Sequence, residues 1–146
     1  ETKQAIDDGA DEIDYLINIG KAKMHDWDYI EKEMQSIVQL CHQNHRICQV
    51  IFENCYLTKD EIKHIAFIAK QVKPDYIKTS TGFGTSGATV EDIRLMKETV
   101  GNEVKVKAAG GIRDWKTCQA MIEAGASRIG TSSSLKILEE FEKYCG

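Results

Sequence analysis

A single proline in 146 residues, within a composition 42% hydrophobic and 29% charged, leaves nothing that marks this chain as disordered. No dense basic run is present to track a phosphate backbone, and a net charge of -4 argues against nucleic acid as the main partner. Nor does any apolar stretch approach the roughly 18 residues that a membrane helix needs, and no secretory signal opens the sequence. A soluble protein with no membrane partner is expected. The five cysteines (Cys41, Cys48, Cys55, Cys118 and Cys145) include no C-x-x-C pair and fit no metal-site spacing. Small thiols in a reducing compartment, the cytoplasm, account for them, and no metal is expected. The initiator methionine is missing too: residue 1 is Glu, and "ETKQAIDDGA" reads as the body of an uncapped helix, as though the chain began inside a longer protein.

What is present is a repeat of pattern. Five apolar, strand-like runs, at 12–18, 47–53, 76–82, 103–111 and 127–133, begin 35, 29, 27 and 24 residues apart. Between them lie stretches with apolar residues at helical spacing, such as Ile30, Met34, Ile37, Val38 and Cys41, then Ile62, Ile65, Ala66, Ile68, Ala69 and Val72. Thr58 with Glu61, and Thr89 with Asp92, resemble capping boxes, while Gly101 and Gly125 stand where helix C-caps belong. Strands alternating with helices imply βαβ units and a parallel α/β sheet. The G-x-G-x-x-G turn of a doubly wound sheet is absent, and "GFGTSG" (82–87) has the wrong spacing for it. Polar residues close several strands (Asn18, Glu53, Thr79, Ser80, Gly110, Gly111, Ser132, Ser133), which is the habit of a (β/α)8 barrel. The expectation is one domain, residues 1–146, holding about the last five βα units, with the first three strands absent.

Two lysines carry the chemistry. Strand alternation puts Tyr76, Lys78 and Ser80 on one face, and Lys105, Lys107 and Ala109 on the matching face of the next strand. The apolar faces suit packing against helices, so Lys78 and Lys107 should point into the barrel as neighbours. Two partly buried ammonium groups disfavour each other's charge, and one neutral amine can then form a Schiff base with a carbonyl. Asp14, in "DEIDYLIN", should face the same interior with Leu16 and Asn18, as a counter-ion or as a carrier of protons. "TGFG", "AAGGIR" and "IGTSSS" follow the last three strands. Their glycines let backbone N–H groups approach an anion, Ser132 and Ser133 add hydroxyls, and Arg113 adds charge. A phosphorylated carbonyl compound is the substrate these turns imply. The four histidines fall in loops or on helices and are expected mostly at the surface.

"DEID", "YIKTSTGFGTSGAT", "VKVKAAGGIR" and "RIGTSS" together resemble deoxyribose-phosphate aldolase, a class I aldolase on a β/α barrel, over nearly the whole chain. The resemblance implies reversible cleavage of 2-deoxy-D-ribose 5-phosphate to D-glyceraldehyde 3-phosphate and acetaldehyde, without cofactor or metal, in deoxyribonucleotide catabolism. By position it implies Lys78 as the Schiff-base lysine, Lys107 as the lysine that lowers its pKa, and Asp14 as the proton-relay acid. Gly82, Gly110, Gly111, Gly130, Ser132 and Ser133 would line the phosphate pocket. Where the family often has a lysine in its fifth strand this chain has Gln49, and Tyr144 in "FEKYCG" is no convincing counterpart of a C-terminal proton-shuttling tyrosine. A non-catalytic sugar-phosphate binder and an inactive fragment are the alternatives. Sheet edges left open by missing strands favour a homo-oligomer.

Overall fold

A computed structural model of the chain describes residues 11–82 and 84–145; the helix expected within the first ten residues lies outside them. Five parallel strands form one sheet: β1 (Glu12–Leu16), β2 (Ile47–Ile51), β3 (Tyr76–Lys78), β4 (Lys105–Ala109) and β5 (Arg128–Gly130). Their spatial order is β1-β2-β3-β4-β5, the same as their order in sequence. A doubly wound sheet reverses direction at a switch point, whereas right-handed crossovers that never reverse keep every helix on one face and curl the sheet toward a barrel. Five βα units of a (β/α)8 barrel are therefore present.

The helices are α1 (Ile19–Lys23), α2 (Trp27–Gln43), α3 (Lys59–Val72), α4 (Val90–Val100), α5 (Trp115–Ala124) and α6 (Ser134–Cys145). From α1 to α6, each packs against the next in a single outer layer. Outward-facing strand residues Ile13, Tyr15, Cys48, Val50, Ile77, Val106 and Ala108 join Ile30, Met34, Ile62, Ile65, Ile93 and Met96 of the helices in one buried cluster. Tyr15 thus faces the helices, and burial pushes its phenol pKa far up. The helix ends follow local chemistry. Thr58 and Glu61 form a reciprocal capping box, Thr89 and Asp114 accept from Asp92 N–H and Thr117 N–H, and Gly101 and Gly125 close α4 and α5. None of the described helices is long and apolar enough to cross a membrane.

The strands are shorter than the apolar runs. β3 stops at Lys78 because the Thr79 hydroxyl takes over the ladder, accepting the Ala109 N–H at 3.1 Å and donating to the Ala109 carbonyl at 3.0 Å. Asn18 departs from expectation: its side chain accepts the Lys21 N–H at 3.0 Å and caps α1, so it serves the helix and not the interior.

Candidate active site

On the concave face the register aligns Ile51, Lys78, Lys107 and Arg128 across β2 to β5, and Asp14, Gln49, Tyr76 and Lys105 across β1 to β4. Lys78 and Lys107 are therefore direct partners, as strand parity requires. Lys78 Nζ lies 3.3 Å from Asp14 Oδ2, with the Lys78 side chain only 14% exposed. Sheet curvature and a four-carbon stem let Lys78 span β2 to reach that carboxylate.

Lys107 is held below the ordinary lysine pKa, first by burial and then by the Lys78 ammonium, with Asp14 opposing. Its stem lies under Gly130, where a Cβ would stand 3.2 Å from Lys107 Cε; the missing side chain makes that room. Deeper on the same face, Glu12 ties the first strand to the last. Arg128 Nη1 donates to Glu12 Oε1 at 2.8 Å, and Gln49 Nε2 to Glu12 Oε2 at 3.1 Å. The Arg128 guanidinium sits over the Tyr76 ring at 4.3 Å. Gln49 thus serves Glu12, while its own Oε1 is buried with no hydrogen-bond partner in the structure.

Above the lysines, at the carboxyl ends of the strands, opens a cleft of about 510 Å³. Lys78, Gly82, Gly110, Gly111, Gly130 and Ser132 all line it, joined by Arg113. Beside it the loop after β3 meets the cleft-lining Gly110 backbone to backbone: a Cβ on Gly87 would fall 2.2 Å from the Gly110 oxygen, so only glycine fits there. Gly82 is the second conformational requirement, with φ +97° and open space where a Cβ would be.

Ser133 is not part of the cleft wall. Its N–H donates to Thr131 Oγ1 at 2.9 Å and its carbonyl accepts from Ile137 N–H, so it starts α6. Tyr144 is 70% exposed on α6 beside Trp115 and Glu140, away from the lysines. Thr81 and Thr131 line the cleft without having been anticipated; isolated threonines in loops carry no sequence signal. All four histidines are exposed. A further groove of about 610 Å³, bordered by Val38, His42 and Val72, lies in the outer helical layer, away from the carboxyl ends of the strands.

The model of the DeoC/LacD family aldolases matches residues 1–140. A deoxyribose-phosphate aldolase of Lactobacillus acidophilus is 64% identical over 95% of this chain. The chain spans 59% of that relative's length. Among solved structures, an aldolase called QR15 superposes with a TM-score of 0.87 at 43% identity, over 97% of this chain and 63% of its own. A deoxyribose phosphate aldolase of Aeropyrum pernix, described as tetrameric, gives a TM-score of 0.84 at 27% identity, over 97% of this chain and 59% of its own.

Proposed function

The chain belongs to the DeoC/LacD family of aldolases, and from that premise we propose that its site performs class I cleavage of 2-deoxy-D-ribose 5-phosphate through an imine on Lys78. The neutral Lys78 amine adds to the C1 carbonyl of the open-chain sugar, and loss of water leaves a protonated imine. Removal of the proton from the C3 hydroxyl breaks the C2–C3 bond and sends its electron pair into the imine. D-Glyceraldehyde 3-phosphate leaves, and an enamine of two carbons stays on Lys78. Protonation at C2 and hydrolysis then release acetaldehyde and restore the amine. Asp14, 3.3 Å from Lys78 Nζ, is placed to carry these protons. Lys107 is the register partner of Lys78 and the second amine beside the nucleophile; burial and the Lys78 ammonium lower its proton affinity.

The observation that carries the reading is the position of Lys78, which lines the glycine-walled cleft and faces a carboxylate at the same time. The phosphate would lie against Gly82, Gly110, Gly111, Gly130 and Ser132, near the N-terminus of α6. Lys107 has a rival claim to the imine because its pKa is the lowered one, yet it stands beneath Gly130 and not among the residues lining the cleft. Free thiols at Cys41, Cys48, Cys55 and Cys118 support a cytoplasmic setting, and the tetrameric relative supports a homo-oligomer.

Borohydride reduction in the presence of acetaldehyde, followed by peptide mapping, tests the assignment. An ethyl group on Lys78, lost in Lys78→Ala, is expected. Labelling of Lys107 would transfer the nucleophile's role to it. A folded chain that binds phosphate but gives no adduct would leave a sugar-phosphate binder.

A further inference from the structure

We propose that Glu53 is a positioning residue for the anion-binding loop after β3: it orients the phosphate end of the substrate without touching it. The proposal rests on the aldolase reading only for the identity of that substrate.

Glu53 leaves the carboxyl end of β2 with φ 56°, the left-handed region that a non-glycine residue rarely enters, and is only 4% exposed. A buried carboxylate in a strained backbone needs strong partners. It has them in one place. The Thr81 N–H donates to Glu53 Oε1 at 3.1 Å, and the Thr81 hydroxyl donates to Oε2 in a short bond. The neighbouring backbone holds the same loop, since Asn54 N–H donates to the Thr79 carbonyl at 2.9 Å. Farther along, Gly84 rests on the same support: a Cβ there would stand 2.7 Å from Cys55 Sγ and 3.0 Å from Glu53 Oε1.

Glu53 is not among the residues that line the cleft, whereas Thr81, which it holds, is. Gly82 also lines the cleft, open where a side chain would be and four residues beyond Lys78, the last residue of β3. The other end of the loop is pinned where Gly87 meets Gly110 and the Ala88 N–H donates to the Ala109 and Gly110 carbonyls. The loop is thus clamped at both ends with its glycine turn facing the cavity. The chemistry of the clamp explains the choice of residue. A carboxylate only accepts, so both Thr81 donors must turn toward it, and the peptide leading into Gly82 has one orientation. A carboxylate this close to an anion site is otherwise unfavourable, because like charges repel.

The test uses the 146-residue chain, inorganic phosphate as the probe, and the Gly82 amide resonance as the readout, alongside acetaldehyde trapping on Lys78. Glu53→Ala is expected to weaken phosphate binding about tenfold, the scale of a lost charge-assisted pair of bonds, with trapping changed by less than about twofold. KM for 2-deoxyribose 5-phosphate should rise by a similar factor, while KM for unphosphorylated 2-deoxyribose stays put. Glu53→Gln can still accept from the Thr81 N–H and donate to its hydroxyl, so it should return phosphate affinity to within about threefold of the parent. Thr81→Val removes one of the two bonds and should give an intermediate loss; it decides the matter should Glu53→Ala fail to fold. Unchanged phosphate affinity in these variants overturns the proposal, as does a parallel fall in trapping and affinity, which marks a general structural role. Absence of trapping in the parent sinks the aldolase reading, while the phosphate titration still judges Glu53.

Discussion

Replacing Glu61 by Gln should make the chain less stable at neutral pH, by a margin that shrinks as the pH falls toward 2. Glu61 is the third residue of α3, and its side chain is 5% exposed. Lys23 Nζ donates to Oε1 at 2.6 Å, the Thr58 N–H donates to the same oxygen at 2.9 Å, and His25 Nε2 lies 2.9 Å from Oε2. Burial on its own raises the Glu61 pKa, but these partners outweigh it and hold the carboxyl at about 2, against an ordinary 4.5. At 1.36 kcal/mol per tenfold change, that displacement corresponds to roughly 3 kcal/mol before screening. Lys23 and His25 are 44% and 60% exposed. Solvent and salt therefore weaken their pull, and about 1.5 kcal/mol is the realistic share. The folded-state pKa lies below the unfolded one. The contribution is therefore complete above about pH 4.5 and fades as the pH falls toward 2. Gln still accepts the Thr58 N–H, so the cap survives and only the charge is removed. Urea unfolding of parent and Glu61→Gln at pH 7 and pH 3 reads the difference directly. A gap of the same size at both pH values, or none at pH 7, would refute the argument.

Two other outcomes follow from the site's geometry. Gly87→Ala would set a methyl 2.2 Å from the Gly110 oxygen, and since backbone cannot rotate away, the loops must part by about 1 Å. Misplacement on that scale should raise the Kd for inorganic phosphate by about 10²-fold while acetaldehyde still traps on Lys78; an unchanged Kd would show the loops are not part of the anion site. Lys107→Met removes the positive neighbour whose charge disfavours a second one beside it. Imine trapping on Lys78 at pH 7 should then slow about tenfold, and an unchanged rate would show that the two amines are uncoupled.

The pairing of Lys78 with Lys107 was legible because it depends on one regularity, the two-residue alternation of a strand, which survives in any parallel register that matches apolar faces. The helix caps at Thr58 and Thr89 were legible for a similar reason: donor and acceptor lie three residues apart. Strand ends were not, because the Thr79 hydroxyl takes the Ala109 N–H while the Thr79 N–H still bonds to the Lys107 carbonyl, and nothing in the apolar run announces the exchange. Ser133 looked equivalent to Ser132, yet a neighbouring hydroxyl, that of Thr131, binds its N–H and turns it into the start of a helix. Glu53 was legible as a polar residue at a strand end, but its pairing with Thr81 was out of reach. Their partnership spans 28 residues, follows no period, and exists only because β2 and β3 are adjacent.

A net charge of -4 sits oddly with the proposed phosphorylated substrate, but the fold sorts the charges of the chain. The concave face presents Lys78, Lys105, Lys107 and Arg128 against Glu12 and Asp14, an excess of two positive charges. Both acids are engaged there, Glu12 with Arg128 and Asp14 with Lys78, and Arg113 adds further positive charge at the cleft. The remaining acidic excess is carried elsewhere, including the first turns of α2, α3 and α4, where carboxylates favour the helix N-termini. Strand alternation is what makes this sorting possible. One face of each strand supplies the apolar core and commits the other to the interior, where burial and the neighbouring Lys78 ammonium lower the proton affinity of Lys107. The same crowding makes Lys107 costly to charge, so in the proposed reaction the paired amines and the basic cleft that would receive a phosphate have a common electrostatic origin.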